Sequence, residues 1–282
     1  MEVVRAQTAG FCFGVGHALK KLDEQIALGG GRLITLGPII HNPLVMAYYG
    51  DQGVLCFDDP EQVRKGDRVV IRAHGIPQSI EEKLRESGAT IVDATCPKVK
   101  KAQLAIAAQV AQGKSLLLFG EQDHPEVRGL LSYADADAFV FSDVQALQTY
   151  PLSQEKTYFL AAQTTQELEL YTVAASYLAE RLGTPVTVLE TICTATKERQ
   201  QSVVELCSQV EVMIVVGGLN SGNTRRLADV ARLHGIPAQH VETVSGLDLE
   251  ALKGVRKVGL TAGASTPDKH IDEMEEFLQA LS

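Results

Sequence analysis

Three short β-branched runs in this chain each end at a cysteine and then give way to a stretch of helical composition. That recurrence limits the possible fold more than any other feature of the sequence. The run from Thr90 to Thr95 leads to Cys96, and Pro97 opens a helical stretch to Gln112. Val3 and Val4 lead through Thr8 to Phe11 into Cys12, followed by apolar residues at helical spacing from Val15 to Leu28 and a Gly29 to Gly31 stop. Val186 to Ile192 leads to Cys193, with a helix expected from near Thr196. Proline at the first helical position costs no hydrogen bond and pushes the residue before it out of the α region, so Cys96 is expected at an N-cap. A thiol there lies at the positive end of the helix dipole, which favours thiolate, the form that binds metals and attacks electrophiles.

The rest of the chain repeats with the cysteines. After Cys12 come the strand Leu33 to Leu36, the loop Gly37 to Pro43, and a second strand Val69 to Ala73 running into His74 and Gly75. After Cys96 come Ser115 to Phe119, the loop Gly120 to Glu126, and Tyr158 to Ala162 running into Gln163, Thr164 and Thr165. After Cys193 come Val212 to Val216, the loop Gly217 to Asn223, and Val258 to Thr261 running into Ser265 and Thr266. From each cysteine the first polar loop (His41, His124, Ser221) is 29, 28 and 28 residues on, and the second (His74, Thr164, Ser265) 62, 68 and 72. A fixed order of strand, loop and helix at this period is one supersecondary unit used three times.

Strands alternating with helices imply an α/β fold of mainly parallel sheets, and ligands in such sheets bind beyond the carboxyl ends of the strands. Every loop named above follows a strand. The expected architecture is a pseudo-threefold trefoil around a central cavity, with units at 13–96, 97–193 and 194–282. The strand in 1–12 should complete the third.

Composition narrows the function. A net charge of −9 with no basic stripe argues against nucleic acid as a partner. No apolar run reaches membrane-spanning length and no signal segment follows Met1, so a cytoplasmic protein with reduced thiols is expected. Five cysteines without framework spacing point to metal or redox chemistry rather than disulfides. Gly113 to Ser115 lacks the first glycine and following helix of a P-loop, and Gly14 to Gly16 lacks the rest of a dinucleotide fingerprint.

Three thiolates on three loops can hold an iron–sulfur cluster at three corners and leave one iron open, whereas four cysteines are usual. Zinc on three cysteines fits the same ligands and would suit a hydrolase. Cys56, in a strand, and Cys207, on the apolar face of a helix, read as structural. His41, His74 and His124 with Ser221, Asn223 and Ser265 form a set of donors suited to a diphosphate. Glu126, in a first helical turn, is either a dipole partner or a proton donor, with Thr164 or Thr165 passing the proton on.

Taken together, Ala9 to Val15, His41 to Pro43, Arg72 to Gly75, Asp93 to Pro97, His124 to Glu126, Gln163 to Thr165, Thr191 to Cys193 and Ala262 to Thr266 closely resemble the 4-hydroxy-3-methylbut-2-enyl diphosphate reductase (IspH/LytB) family. The match runs from Phe11 to Pro267. The resemblance implies a 4Fe-4S cluster on Cys12, Cys96 and Cys193 with an open fourth iron, and reductive removal of the hydroxyl from an allylic diphosphate in the last step of the non-mevalonate pathway. It implies diphosphate binding by His41, His74, His124, Ser221, Gly222, Asn223 and Ser265, proton donation by Glu126, and Thr164 and Thr165 near the substrate hydroxyl. A ferredoxin- or flavodoxin-type electron donor follows from it. Gly222 departs from the pattern, standing where the family's Ser-Ser-Asn run has a serine.

Overall fold

A computed structural model describes residues 1–134 and 136–281. The chain begins with β1 (Glu2–Arg5), α1 (Phe13–Leu28), β2 (Leu33–Leu36), α2 (Pro43–Asp51), β3 (Val54–Phe57), β4 (Arg68–Ile71), α3 (Gln78–Glu86) and β5 (Thr90–Asp93). It continues through α4 (Pro97–Val110), β6 (Ser115–Phe119), α5 (Pro125–Leu131), β7 (Phe139–Phe141), α6 (Val144–Thr149), β8 (Tyr158–Ala162), α7 (Leu168–Leu182) and β9 (Thr187–Val188). Last come α8 (Thr194–Cys207), β10 (Val212–Val216), α9 (Gly222–Leu233), β11 (Ala238–Val241), β12 (Lys257–Ala262) and α10 (Asp268–Ala280).

The strands form three four-stranded sheets of like topology, in the orders β3-β2-β4-β5, β7-β6-β8-β9 and β11-β10-β12-β1, with every pairing parallel. The α/β class with parallel sheets is therefore as expected. β1 lies beside β12, with Val3 opposite Val258 and Arg5 opposite Leu260, so the N-terminal strand fills in the third sheet the place that β5 and β9 fill in the others.

The central strands read as continuous apolar runs because both faces of each sheet are covered. In the second sheet Leu117 and Leu160 pack into one cluster and Leu116, Leu118 and Phe159 into the cluster on the opposite face. In the third, Ile214 and Leu260 face one cluster and Met213 and Val215 the other. Each such side chain contributes about 1.5–3 kcal/mol of burial.

The repeat extends to single hydrogen bonds. Gly37, Gly120 and Gly217, just after β2, β6 and β10, donate their N–H to the last residue of the neighbouring strand: Phe57 at 2.7 Å, Phe141 at 2.9 Å and Val241 at 2.9 Å. Gly37 (φ +68°) and Gly217 (φ +148°) turn there through backbone conformations open chiefly to glycine.

One strand is shorter than its sequence suggests. Of the β-branched run Val186 to Ile192, only two residues pair as β9. The N–H of Ala162 is taken by the Thr191 hydroxyl at 2.7 Å, a side-chain substitute that ends the ladder.

The chain divides into two compact units. One holds the third sheet and comprises Met1–Gly16, Ile40–Ala47 and the residues from Thr194 onward; the other comprises His17–Ile39 and Tyr48–Cys193 and holds the first and second sheets. Among the described residues, no helix is long and apolar enough to cross a membrane.

Candidate active site

All three repeat cysteines stand at the start of a helix and are pinned in the same way. Cys96 donates its N–H to the carbonyl of Ala73 at 3.0 Å, Cys193 to that of Thr164 at 2.9 Å, and Cys12 to that of Ala264 at 3.1 Å. Each acceptor lies two residues beyond its own strand, β4, β8 or β12. The next residue along is His74, Thr165 or Ser265, so by register Thr165, rather than Thr164, is the counterpart of His74 and Ser265. Cys96 is the N-cap of α4, with φ −55° and ψ 131°, as Pro97 requires.

In the unit carrying the first and second sheets, Glu126 sits in the first turn of α5 and is 2% exposed. Its carboxylate accepts the Thr164 N–H at 2.5 Å on one oxygen and the Thr164 hydroxyl at 2.9 Å on the other. Thr164 thus links a buried carboxylate to the loop of Cys193 through consecutive hydrogen bonds. His124 is the N-cap of α5 and accepts the Glu126 N–H on Nδ1 at 3.1 Å. The rings of His74 and His124 meet edge to face, centroids 5.5 Å apart. Thr165 is oriented by the Gln163 side chain, whose Nε2 donates to its hydroxyl at 3.1 Å while Oε1 accepts from the Glu121 N–H at 3.2 Å.

In the other unit, Ser221 caps α9 by accepting the Thr224 N–H at 3.3 Å. The helix begins earlier than its composition suggests, so Gly222 and Asn223 are its first two residues, not part of a loop. Gly222 therefore offers its backbone N–H at the positive end of the helix dipole, without a side chain. Asn223 is 7% exposed, and its Nδ2 has no hydrogen-bond acceptor among the described residues. A buried amide donor of this kind costs free energy unless a ligand fills it. Ser265 donates to the His41 carbonyl at 3.2 Å, and Asn42 Nδ2 donates to the Ser265 carbonyl at 2.9 Å. Asn42 Oδ1 also caps α2, accepting from Leu44 at 3.0 Å and Val45 at 3.2 Å. The buried Arg199 of α8 donates to the Gly10 carbonyl at 2.7 Å, two residues before Cys12.

Gly263 is closely packed. A Cβ there would lie 2.0 Å from the hydroxyl of Thr224, itself fully buried. Gly263→Ala should therefore destabilise the protein by about 1–3 kcal/mol, measured as a lower urea midpoint at unchanged slope.

The three repeat cysteines suit a metal centre by their chemistry. Each is partly exposed at a helix start, and no disulfide joins them among the described residues. The Val15 N–H points to Cys12 Sγ at 3.4 Å. The other two differ: Cys56 is exposed on β3, and burial pushes the Cys207 thiol pKa up, away from thiolate.

A family model described as LytB protein matches residues 3–279. The 4-hydroxy-3-methylbut-2-enyl diphosphate reductase of Oleidesulfovibrio alaskensis is 54% identical over 281 residues, covering all of both chains. That of Aquifex aeolicus is 40% identical over 283 residues, covering all of this chain and 97% of its own. Among solved structures, the E-1-hydroxy-2-methyl-but-2-enyl-4-diphosphate reductase of Plasmodium falciparum matches with a TM-score of 0.95 at 26% identity, covering 99% of this chain and 88% of its own. A second, titled (E)-4-hydroxy-3-methyl-but-2-enyl diphosphate reductase, the terminal enzyme of the non-mevalonate pathway, matches with a TM-score of 0.70 at 38% identity over 99% of both chains. With three like sheets, three like cysteine turns and full-length similarity, the chain belongs to the LytB family.

Proposed function

We propose that this chain reduces 4-hydroxy-3-methylbut-2-enyl diphosphate to isopentenyl and dimethylallyl diphosphates. Written for the reacting carbon, R–OH + 2 e⁻ + 2 H⁺ gives R–H + H₂O. The observation that carries the reading furthest is the run Glu126, Thr164, Cys193, in which a buried carboxylate, a hydroxyl and a thiol-bearing loop are joined by hydrogen bonds within one unit.

Cys12, Cys96 and Cys193 would hold a 4Fe-4S cluster. When bound, it supplies the electrons and an iron without a protein ligand that acts as a Lewis acid toward the substrate oxygen. The rest falls to this chain's own side chains. His41, His74, His124, Ser221 and Asn223 donate hydrogen bonds to the diphosphate, the Ser265 hydroxyl turns from the His41 carbonyl to do the same, and the N-terminus of α9 adds the Gly222 N–H. A diphosphate anchored in this way holds the allylic end of the substrate in place, which replaces a bimolecular encounter by fixed positioning. When protonated, Glu126 donates its O–H to the Thr164 hydroxyl, its hydrogen-bond partner, and that hydroxyl gives its own proton to the leaving oxygen. Gln163 fixes the rotamer of Thr165, so the second hydroxyl is presented in one orientation. A ferredoxin- or flavodoxin-type protein is the proposed electron donor, and a cytosolic setting belongs to the same reading.

The test is anaerobic purification with iron, sulfide and zinc analysis, followed by turnover of the allylic diphosphate under dithionite on the same sample. A brown protein that makes both C5 diphosphates is expected. A colourless zinc protein without reductive turnover would sink the proposal in favour of a hydrolase.

A further inference from the structure

In a chain of net charge −9, lysines of α1 and α4 in the unit with the first and second sheets converge on Asp93, the last residue of β5 and three residues before Cys96. The Asp93 carbonyl accepts from Lys21 Nζ of α1 at 2.7 Å, and its carboxylate pairs with Lys100 Nζ of α4 at 3.1 Å. Burial there opposes ionisation, yet hydrogen bonds from Thr95 and the Lys100 ammonium outweigh it and hold the Asp93 carboxyl below its usual range. Asp93 therefore neutralises one ammonium and leaves the others. Lys98 and Lys101, flanking Lys100 on α4, and Lys20, next to Lys21 on α1, are exposed and make no ion pair among the described residues. The nearest carboxylates along α1, Asp23 and Glu24, come after the lysines, and Asp23 is taken by the Tyr49 hydroxyl at 2.8 Å.

This arrangement works against the helix that bears it. Lys98, Lys100 and Lys101 lie at the start of α4, where the dipole favours carboxylates, and its first turn has no acid. A local rule broken without a structural return points to function. Lys98, Lys101 and Leu104, the last 62% exposed, are spaced along one side of α4 that leads away from the turn of Cys96.

We infer that this lysine face docks a small acidic iron–sulfur electron-carrier protein that delivers electrons at the Cys96 end of α4. The inference rests on the reductase reading, since a hydrolase needs no reductant. Per turnover two reduced carriers are each oxidised by one electron. With two protons, these electrons break the C–O bond and form a C–H bond, and the oxygen leaves as water. Electron-transfer encounters bury less than about 1,200 Å² in total, a size that suits a small partner. Exposed lysines steer such a partner by long-range attraction more than they hold it, so the signature is in the rate and its salt dependence.

The test uses the cluster-loaded enzyme and two reductants, dithionite and a reduced acidic ferredoxin. In the Lys98→Glu/Lys101→Glu variant the ferredoxin-driven kcat/KM should fall about tenfold or more and lose most of its salt dependence, with the dithionite-driven rate within about twofold of the parent. The variant should fold at least as well as the parent, because carboxylates at the start of α4 match the dipole. Unchanged ferredoxin-driven kinetics in that variant would overturn the docking surface. A parent enzyme that ignores ferredoxin but accepts electrons from flavodoxin would overturn the partner's chemistry. If the parent fails to turn over even with dithionite, the reductase reading itself fails, a result distinct from the other two.

Discussion

Glu126→Gln should lower turnover by about 10²–10⁴-fold and leave the affinity for the diphosphate substrate close to the parent's. Glutamine has the same shape, and its amide can keep both contacts of the carboxylate: Oε1 accepts the Thr164 N–H and Nε2 donates to the Thr164 hydroxyl. The loop of Cys193, tied to the Thr164 carbonyl, is then undisturbed. What glutamine cannot do is give up a proton and recover it. Single-turnover kinetics beside equilibrium binding separates the two effects, and near-parental turnover in this variant would remove Glu126 from proton delivery.

Cys96→Ser should abolish iron binding and activity together while the protein stays folded. The backbone bond from residue 96 to the Ala73 carbonyl does not involve sulfur, and serine is among the best N-cap residues, so the turn and α4 survive. A serine hydroxyl stays protonated at neutral pH and is a poor ligand for iron, whereas a thiol at a helix start is readily ionised. Iron per chain and visible absorption, measured after anaerobic reconstitution, report the loss. Cys207→Ser is the matched comparison: its thiol is pushed toward the neutral form by burial at the end of α8, and iron content and turnover should be retained. Full iron content in Cys96→Ser would remove Cys96 from the ligand set.

The frame of the fold was legible because it is written in apolar runs and in glycines. The central strands have both faces covered and so appear as unbroken stretches, and the turns at Gly37 and Gly217 need a backbone that few other residues adopt. The cysteines were legible because they recur at one place in a repeat. Arg199, Gln163 and Asn42 were not, although each holds a loop of the candidate site. Arg199 and Asn42 work through hydrogen bonds to groups distant in sequence, and nothing in a single arginine or asparagine advertises a carbonyl 189 or 223 residues away. Asn42 came nearest, since an asparagine before a proline is a helix-start signal, but its second bond to the Ser265 carbonyl is visible only in three dimensions. The truncation of β9 was hidden for a similar reason, because it depends on one hydroxyl replacing one carbonyl.

The pairing of β1 with β12 has a consequence for how the molecule is made. On the ribosome, Glu2 to Arg5 emerge long before their hydrogen-bonding partners around Lys257 to Leu260. This segment must wait, unpaired, for strand partners made much later, and bridging that sequence distance carries the entropic cost of closing a very long loop. Cys12, whose anchor is the carbonyl of Ala264, waits with it. Any inorganic centre that needs this sulfur in place can be completed only after the residues around Ala264 have emerged.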